Sequence, residues 1–423
     1  MQDPGFVEPR ASSANWSVAV TSAPFIVVRS FQAMMLRERW HQWAGRSVDE
    51  EGGVAPTTYG ERRTLIHEGD LLIIDGHYGE GGGQILRTAL ALSALTAKAI
   101  RIDNIRARRA KPGLAAQHLT AVRSVARLCG ARVSGDELGS QRLTFAPQGS
   151  SRAGTYAFDV ASARKGGSAG SAPLVLQTIL LPLARVSGSS TVTIDGGTHL
   201  PQSPFADYVL DIWRAVLLEM GVVADLRILR TGWYPIGGGR IEARIAGGGD
   251  AELLRPLVMT ERGPLKRVWG RAIAANLPEH IAERMAGRAQ CLLAVHGINA
   301  RIEAVCEEAD CPGAALFLGA EFDHGRGGIC SLGRRGKPSE QVAGEAVGAL
   351  MGYLDSGAAL DAHLGDQVLL ATAVAAEKSS FSVERLTPHL ATNAWVIERF
   401  GCACIDVHQR TDGTALVTVD PVH

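Results

Sequence analysis

The sequence predicts an α/β protein, in which βαβ-type units repeat to form a main domain and a smaller α/β domain is inserted late in the chain. Two observations predict this fold class. From Asp70 onward, strand-like segments alternate with glycine-rich turns and apolar helices, which is the order of elements in α/β folds. From about residue 258 to residue 340 this rhythm changes, as it does where a separate domain interrupts another.

Three apolar helices carry the repeat. They are predicted over residues 81–95, 171–184 and 365–377. Because they are apolar on nearly every side, we expect them to be buried against sheets. Recurrence of one helix–strand unit indicates an internally repeated architecture, and a chance likeness between apolar helices is the alternative interpretation. Each helix contains one glutamine, and these are Gln84, Gln177 and Gln367.

The segment 258–340 has strand and helix signals of its own, in "KRVWGRAIAANL", "EHIAERMAGRAQCLLAVHG", "INARIEAV" and "GAALFLGAEF". Residues 1–66 instead mix proline, serine and tryptophan without a sustained period, which is typical of disordered chain. The predicted organisation is therefore an N-terminal extension (1–66), a main domain (67–257 and 341–423) and an inserted domain (258–340).

Composition excludes several classes of protein. The 423 residues are 46% apolar and 20% charged with a net charge of zero, which is ordinary for a globular protein. A neutral total argues against a protein that coats nucleic acid with its whole surface, but it permits a local basic patch. The seven scattered cysteines indicate reduced thiols and a cytoplasmic location. No apolar run in the sequence is long enough to predict a membrane span.

The first candidate site is the stretch "DGHYGEGGGQILR", residues 75–87. Glycines before a helix let backbone N–H groups approach an anion, and the helix N-terminus adds a partial positive charge. The spacing matches neither the dinucleotide fingerprint nor the P-loop. Instead, Glu80 stands among glycines, while Gln84 and Arg87 share one helix face. The alternative is a glycine-rich turn with a solvated glutamate.

A basic cluster follows in "IRARRAKPGLAAQHL", where Arg106, Arg108, Arg109 and Lys111 precede Gln117. Such clusters are usually solvated surface. Guanidinium groups beside an anion-binding loop are nevertheless suited to polyphosphate or nucleic-acid phosphate, because they bind phosphate oxygens in bidentate fashion.

Two later segments complete the candidate set. In "HLGDQVLLATAVA", Asp366 and Gln367 begin an apolar helix and His363 lies one turn earlier; the alternative role for Asp366 is that of a helix N-cap. In "RLTPHLATNAWVIERF", His389 follows a proline. A single histidine is more often structural, but a neutral imidazole beside phosphate-binding groups can attack phosphorus and form a phosphoramidate.

Together these segments resemble the RNA 3′-terminal phosphate cyclases, and the resemblance extends from about Leu72 to the C-terminus. The motifs that carry it are, in chain order, "GEGGGQILR", "IRARRAKPGLAAQHLTAV", "ELGSQRLTF", "GSAPLVLQT", "GGTHLPQSPFADY", "YPIGGGRIE", "HLGDQ" and "HLATN".

The resemblance implies a three-step, ATP-dependent reaction. A histidine first takes AMP from ATP and releases pyrophosphate. The AMP then passes to the 3′-phosphate of an RNA end. Finally the neighbouring 2′-OH attacks that phosphate, which gives a 2′,3′-cyclic phosphate and free AMP. The implied partners are ATP, a divalent metal (Mg or Mn) and RNA with a 3′-phosphate end; no membrane is implied, and the oligomeric state stays open.

The resemblance also implies residue roles. His389 is the expected adenylated nucleophile, and Glu80 is associated with metal and catalysis. Arg87, Arg106 and Arg109 are the expected catalytic arginines. The expected ATP-site residues, among which His363 and Pro204 hold the adenine, are Gln84, Gln117, Gln177, Pro204, His363, Asp366 and Gln367.

Three positions depart from the family pattern. His77 and Tyr78 stand where smaller or polar residues are common, a change that bears on substrate access, and Gly365 replaces a usual alanine. Two other interpretations compete with the enzyme. One is a catalytically silent relative that acts in ribosome assembly as an RNA-binding scaffold, but such relatives lack the nucleophilic histidine. The other is an enolpyruvyl transferase of similar architecture, which does not explain a histidine such as His389.

Overall fold

The protein is described here by a computed structural model covering residues 71–163, 168–249 and 254–422. The predicted N-terminal extension (1–66) lies outside these residues. Within them, the strands form four sheets of four strands each.

The first sheet shows the unit that the fold repeats. Its elements are β1 (Leu72–Asp75), α1 (Gly83–Thr96), β2 (Ile100–Asp103), α2 (Ala116–Cys129), β3 (Arg132–Ser134) and β4 (Leu143–Ala146). The strand order is β1-β2-β4-β3. Strands β1 and β2 are parallel and joined by α1, whereas β4 is antiparallel to both β2 and β3.

The second sheet repeats this topology. Its elements are β5 (Thr155–Asp159), a short 3₁₀ helix (Ala161–Ala163), α3 (Ala172–Ala184), β6 (Ser187–Gly196), α4, β7 (Val223–Arg230) and β8 (Gly239–Gly248). Helix α4 combines α-helical residues Ala206–Tyr208, a π-helical stretch Val209–Trp213 and an α-helix Arg214–Glu219. The strand order is β5-β6-β8-β7, with β5 parallel to β6 and the other pairs antiparallel.

The third unit begins with β9 (Val258–Met259) and is then interrupted by a sheet of different topology. The inserted elements are β10 (Leu265–Ala275), α5 (His280–Val295), β11 (Ala300–Glu307), β12 (Gly313–Phe322), β13 (Arg326–Leu332) and α6 (Ser339–Ser356). The inserted sheet has the strand order β11-β10-β12-β13, in which β10 and β11 are parallel and the other pairs antiparallel.

After the insertion the third unit resumes and completes the same pattern. Its elements are α7 (Leu364–Thr372), β14 (Ser379–Val383), α8 (Pro388–Phe400), β15 (Ala403–Gln409) and β16 (Ala415–Pro421). The strand order is β15-β16-β14-β9, with β9 parallel to β14. The interruption therefore falls inside the first crossover of the third unit.

The predicted repeat is confirmed by these three sheets. Helices α1, α3 and α7 are the first crossover helices of their units, and they carry Gln84, Gln177 and Gln367, respectively. The third helix ends at Thr372 and not, as predicted, near residue 377. The chain leaves the helix there because Ala375 and Ala376 pair with the backbone of Leu254.

One hydrophobic core joins the three repeated units. Helix α3 shows how completely these crossover helices are buried, since every residue from Ala172 to Ala184 except Gln177 is buried. Because Gln177 is the one residue of this helix that is not buried, its amide is available to a polar site outside the core.

A second core lies in the insertion and includes residues from Val268 to Leu354. Helix α6 contributes to this core, whereas β9 pairs with β14 of the third unit. We therefore propose that the inserted domain, predicted at 258–340, comprises the elements from Leu265 to Ser356. In the part of the chain that the structure describes, no helix combines the length and apolarity that a bilayer crossing requires.

Candidate active site

His389 stands at the start of α8. The Oγ1 of Thr387 caps this helix by accepting a hydrogen bond of 3.1 Å from the Leu390 N–H, and Pro388 occupies the first helical position, where its missing N–H costs nothing. His389 is thus fixed at the second helical position, with 40% of its side chain exposed. The second crossover helices of the other two units carry Gln117 and Asp207 at the same position.

The glycine-rich loop between β1 and α1 lies against this end of α8. Gly79 has a φ of +55°, and a Cβ there would lie 2.5 Å from the Thr392 Oγ1, so only glycine permits the approach. The next residue, Glu80, then donates its backbone N–H to the same Oγ1 at 3.5 Å. The loop therefore positions Glu80 next to His389, and the Glu80 Oε2 lies 2.9 Å from the His389 Nδ1.

The two carboxylate oxygens of Glu80 have different surroundings. Oε1 accepts a hydrogen bond from the Arg109 guanidinium. Oε2 is buried and, despite its closeness to the His389 ring, has no partner in hydrogen-bond geometry among the described residues. Buried carboxylate oxygens without a partner are rare in proteins. Glu80 Oε2 is consequently available to a ligand.

Three guanidinium groups lie in this part of the site, and two of them have no carboxylate partner among the described residues. Arg87 donates to the Gln84 Oε1 and Arg106 donates to the Gly113 carbonyl at 2.7 Å. Neither has an acidic side chain within ion-pair distance among the described residues, whereas Arg109 is paired with Glu80. Burial lowers the pKa of Arg87 to about 10, and burial with the nearby Arg109 charge lowers the pKa of Arg106. Such under-compensated cations favour a bound anion.

Two histidines near these arginines, His389 and His118, have lowered pKa values. The pKa of His389 is lowered by burial, with further lowering by Arg87, His363 and Arg109 and an opposing effect from Glu80. A lowered pKa leaves the imidazole with a free lone pair at neutral pH. His118, which the sequence analysis did not assign, is buried and its Nδ1 accepts from the Ala115 N–H at 3.2 Å. Burial, together with Arg87, Arg106 and Arg109, lowers its pKa well below the ordinary value.

The predicted nucleotide residues of the second and third units meet beside this cluster. The Nε2 of Gln177 donates to the Gln367 Oε1 at 2.6 Å. Asp366 is buried, and burial raises its pKa to about 8 although the Arg87 charge opposes the rise. His363 is exposed, and its backbone N–H donates to the Asp361 Oδ1 at 2.8 Å.

Gln117 and Pro204 lie together at a separate point, the N-terminus of α3. The Gln117 Oε1 accepts from the Ser171 N–H at 2.9 Å. The Oγ atoms of Ser171 and Ser203 are 2.5 Å apart, and Ser203 precedes Pro204. The two serines thus connect Gln117 with the segment that contains Pro204. Among the described residues, no hydrogen bond connects this group directly with His389.

Asn393 fixes the positions of three helices, and the sequence analysis did not identify it. Its Oδ1 accepts from the Thr88 Oγ1 of α1 at 2.7 Å, and its Nδ2 donates to the Asp366 carbonyl of α7 at 2.9 Å. Helical spacing was the signal available in the sequence, because Thr392 and Asn393 follow His389 by three and four residues and share its face of α8.

One side chain of this site, Glu80, could hold a metal ion. Among the described residues no group of three His, Cys, Asp or Glu side chains is placed to hold a metal ion. The unpartnered oxygen of Glu80 fits a different arrangement, in which Mg²⁺ is held by one or two carboxylates with water and substrate phosphates.

Comparison with known proteins shows the family of this chain. A profile described as RNA 3′-terminal phosphate cyclase matches residues 78–407, which is more than half of the chain. This chain belongs to the RNA 3′-terminal phosphate cyclase family. The family expected from the sequence motifs is thereby confirmed.

Curated members of the family are similar over nearly their whole length. A relative from Methylococcus capsulatus, named RNA 3′-terminal phosphate cyclase, is 58% identical over 349 residues, which cover 82% of this chain and 96% of the relative. A relative of the same name from Trichormus variabilis is 48% identical and covers 80% and 97%, respectively. One from Salmonella agona is 41% identical and covers 78% and 92%.

Proposed function

We propose that this chain is an ATP-dependent RNA 3′-terminal phosphate cyclase, which converts an RNA 3′-phosphate end into a 2′,3′-cyclic phosphate through a histidyl-AMP and an RNA-adenylate. The observation that carries the proposal is the position of His389, whose Nδ1 lies 2.9 Å from the Glu80 Oε2 and whose pKa is lowered by burial, with contributions from Arg87 and Arg109. The name of the relatives supports the same reaction class.

We infer which atom attacks. The His389 Nδ1 lies 2.9 Å from the Glu80 Oε2, and a carboxylate this close favours the ring proton on Nδ1, which leaves the lone pair on Nε2. Nε2 then attacks the α-phosphorus of ATP, a P–N bond forms, and the bond to pyrophosphate breaks. The lowered pKa of His389 keeps this nucleophile unprotonated at neutral pH.

The basic residues serve the phosphates. Arg87 and Arg106 lack carboxylate partners among the described residues, and guanidinium groups stabilise the charge that develops on a transferring phosphoryl group. We assign Arg106 and Arg109 to the RNA 3′-phosphate and Arg87 with Gln84 to the nucleotide. A divalent metal, held by Glu80 and the phosphates, would neutralise further charge on them.

The remaining nucleotide residues would position ATP. We assign the Gln177–Gln367 pair and Asp366 to the nucleotide, and Gln117 to the edge of its site near α3. The adenine would lie between His363 and Pro204, and the exposure of His363 leaves its ring accessible for stacking. Once AMP has moved to the RNA phosphate, ring closure by the adjacent 2′-OH is intramolecular, so holding the RNA end in place supplies much of its rate.

Covalent labelling tests the first step. Incubation with α-labelled ATP and Mg²⁺ should leave label on the protein in an acid-labile, base-stable bond, and a 3′-phosphorylated oligoribonucleotide should then become cyclised, as seen by thin-layer analysis. His389→Ala should abolish both. His408→Ala, which removes an exposed histidine of β15, is the matched control and should retain both.

Two results would oppose the proposal. Label that persists in His389→Ala would place the nucleophile elsewhere. Absence of label and of cyclisation in the natural chain would favour the alternative, a non-catalytic RNA-binding relative in ribosome biogenesis. The proposal includes a cytoplasmic location, with which the seven free thiols agree.

A further inference from the structure

An aromatic stack beside the site has no role in the reaction as proposed above. The rings of Tyr78 and Trp395 are parallel within 11°, with centroids 3.9 Å apart. Trp395 is partly buried on α8, whereas Tyr78 keeps 43% of its surface exposed. One face of the tyrosine ring is therefore supported by indole, and its remaining surface is open to a ligand.

The stack adjoins the reacting groups on both of its elements. Tyr78 precedes Glu80 by two residues, so their Cα atoms are at most ~7 Å apart. Trp395 follows His389 by six residues on α8, which is about 9 Å along the helix axis. A nucleotide whose 3′-phosphate contacted Arg106 and Arg109, the second of which is paired with Glu80, would have its base in the neighbourhood of this ring.

The tyrosine is held in place by its loop. Its N–H donates to the Asp75 carbonyl at 3.2 Å, and its own carbonyl accepts from the Gly81 N–H at 2.9 Å. Arg108 stabilises the residues on either side of Tyr78. The Arg108 Nε donates to the His77 Nε2, and the Arg108 Nη1 donates to the Gly79 carbonyl at 3.1 Å. Arg108 is exposed and places a positive charge next to the aromatic surface.

An ordered aromatic ring with an adjacent cation is the arrangement that single-stranded RNA ends require. Unpaired bases stack on tyrosine or tryptophan rings, and nearby arginines attract the backbone. We propose that Tyr78, supported by Trp395, stacks the last base of the RNA substrate, while Arg108 attracts the RNA backbone beside it. Because every base has a π-face, this contact would accept RNA ends of any sequence. The inference rests on the proposed function, since it uses the 3′-phosphate site assigned to Arg106 and Arg109.

A pair of substrates separates base stacking from other roles of the loop. One is a 3′-phosphorylated oligoribonucleotide, and the other has the same sequence with an abasic last residue. Relative to the natural chain, Tyr78→Ala should raise the KM for the oligoribonucleotide with an intact last base about 10-fold. It should leave the KM for the abasic substrate unchanged. Tyr78→Phe should retain the low KM, because the ring is kept. Covalent labelling by ATP should be the same in all three proteins.

Tyr234→Ala is the matched control, since Tyr234 is also exposed, at 70%, and lies in the turn between β7 and β8. It should leave both KM values unchanged. If Tyr78→Ala raised both KM values equally, or neither, base stacking on this ring would be refuted.

A direct measurement keeps the inference separate from catalysis. The fluorescence of a 3′-phosphorylated oligoribonucleotide with 2-aminopurine as its last base should be quenched when the natural chain binds it. Tyr78→Ala should abolish this quenching. Binding without quenching refutes the inference whatever the activity. Quenching without cyclisation or label would instead refute the proposed function and leave the base contact standing.

Discussion

The Nε2 of Gln177 donates a hydrogen bond of 2.6 Å to the Oε1 of Gln367, which joins α3 of the second repeated unit to α7 of the third. If both amides bind ATP as a pair, removing either one loses the same interaction, worth about 1 kcal/mol or about 5-fold in affinity. We expect Gln177→Ala and Gln367→Ala each to raise the KM for ATP several-fold, measured by pyrophosphate release. The double variant should be little worse than either single one, and fully multiplicative effects would show that the amides act independently.

Asn393 should be needed for both stability and catalysis. Asn393→Ala leaves the buried Thr88 hydroxyl and the Asp366 carbonyl without their partners, and each such loss costs about 1–3 kcal/mol. We expect a lower free energy of unfolding in urea and slower labelling by ATP, because α8 carries His389. Thr88→Val removes only one of the two hydrogen bonds and should show a smaller loss of both. An Asn393→Ala protein with unchanged stability would contradict the role assigned to this side chain.

The pH dependence of self-adenylation should report the His389 ring. Its pKa lies below the ordinary 6.5, chiefly because of burial, and only the unprotonated ring is a nucleophile. The midpoint of the decline in the labelling rate at saturating ATP should therefore lie below pH 6.5. Arg87→Gln should move the midpoint upward, since the Arg87 charge contributes to the lowered pKa. A midpoint at or above 6.5 in the natural chain would count against a half-buried nucleophile with a lowered pKa.

Asp366 should make the protein less stable as the pH rises. Its folded-state pKa is about 8 against an ordinary 3.8, so between these values the folded chain binds a proton that the unfolded chain does not. Stability then falls with rising pH across this window. Asp366→Asn removes that proton linkage and should raise the Tm at pH 8 by ~2 °C or more relative to the natural chain, with a smaller difference at pH 5, while it weakens the use of ATP. Equal Tm values at pH 8 would argue against the raised pKa.

Gly83 should not tolerate a side chain. A Cβ there would lie 2.1 Å from the Nε2 of His118. This buried ring is near the positive charges of Arg87, Arg106 and Arg109. Gly83→Ala should therefore destabilise the fold and slow labelling. Gly344→Ala is the control, because the space around its Cβ is open in the exposed middle of α6, and alanine there should stabilise the helix by about 0.5–1 kcal/mol. If the clash with His118 causes the loss of stability, the double variant Gly83→Ala/His118→Ala should be more stable than Gly83→Ala alone.

Local pattern was sufficient to predict much of the fold. The helices around Gln84, Gln177 and Gln367 are apolar over long runs, and the strand at Gly313–Phe322 coincides with the predicted segment "GAALFLGAEF". Helix α6 was not singled out, since glycines at 344, 348 and 352 lower its intrinsic helix propensity. Packing of its apolar face on the inserted sheet stabilises it instead.

The sequence by itself determined the repeated α/β units, the family and the residue types assembled for phosphate chemistry, because periodicity and motif order are properties of the linear chain. Only the tertiary structure decided that residues from the first and third units meet, with the His389 Nδ1 at 2.9 Å from the Glu80 Oε2. It also decided that burial leaves this ring neutral and Asp366 with a raised pKa. Distance and desolvation depend on how α1, α7 and α8 pack against one another, and no local stretch of sequence contains that information.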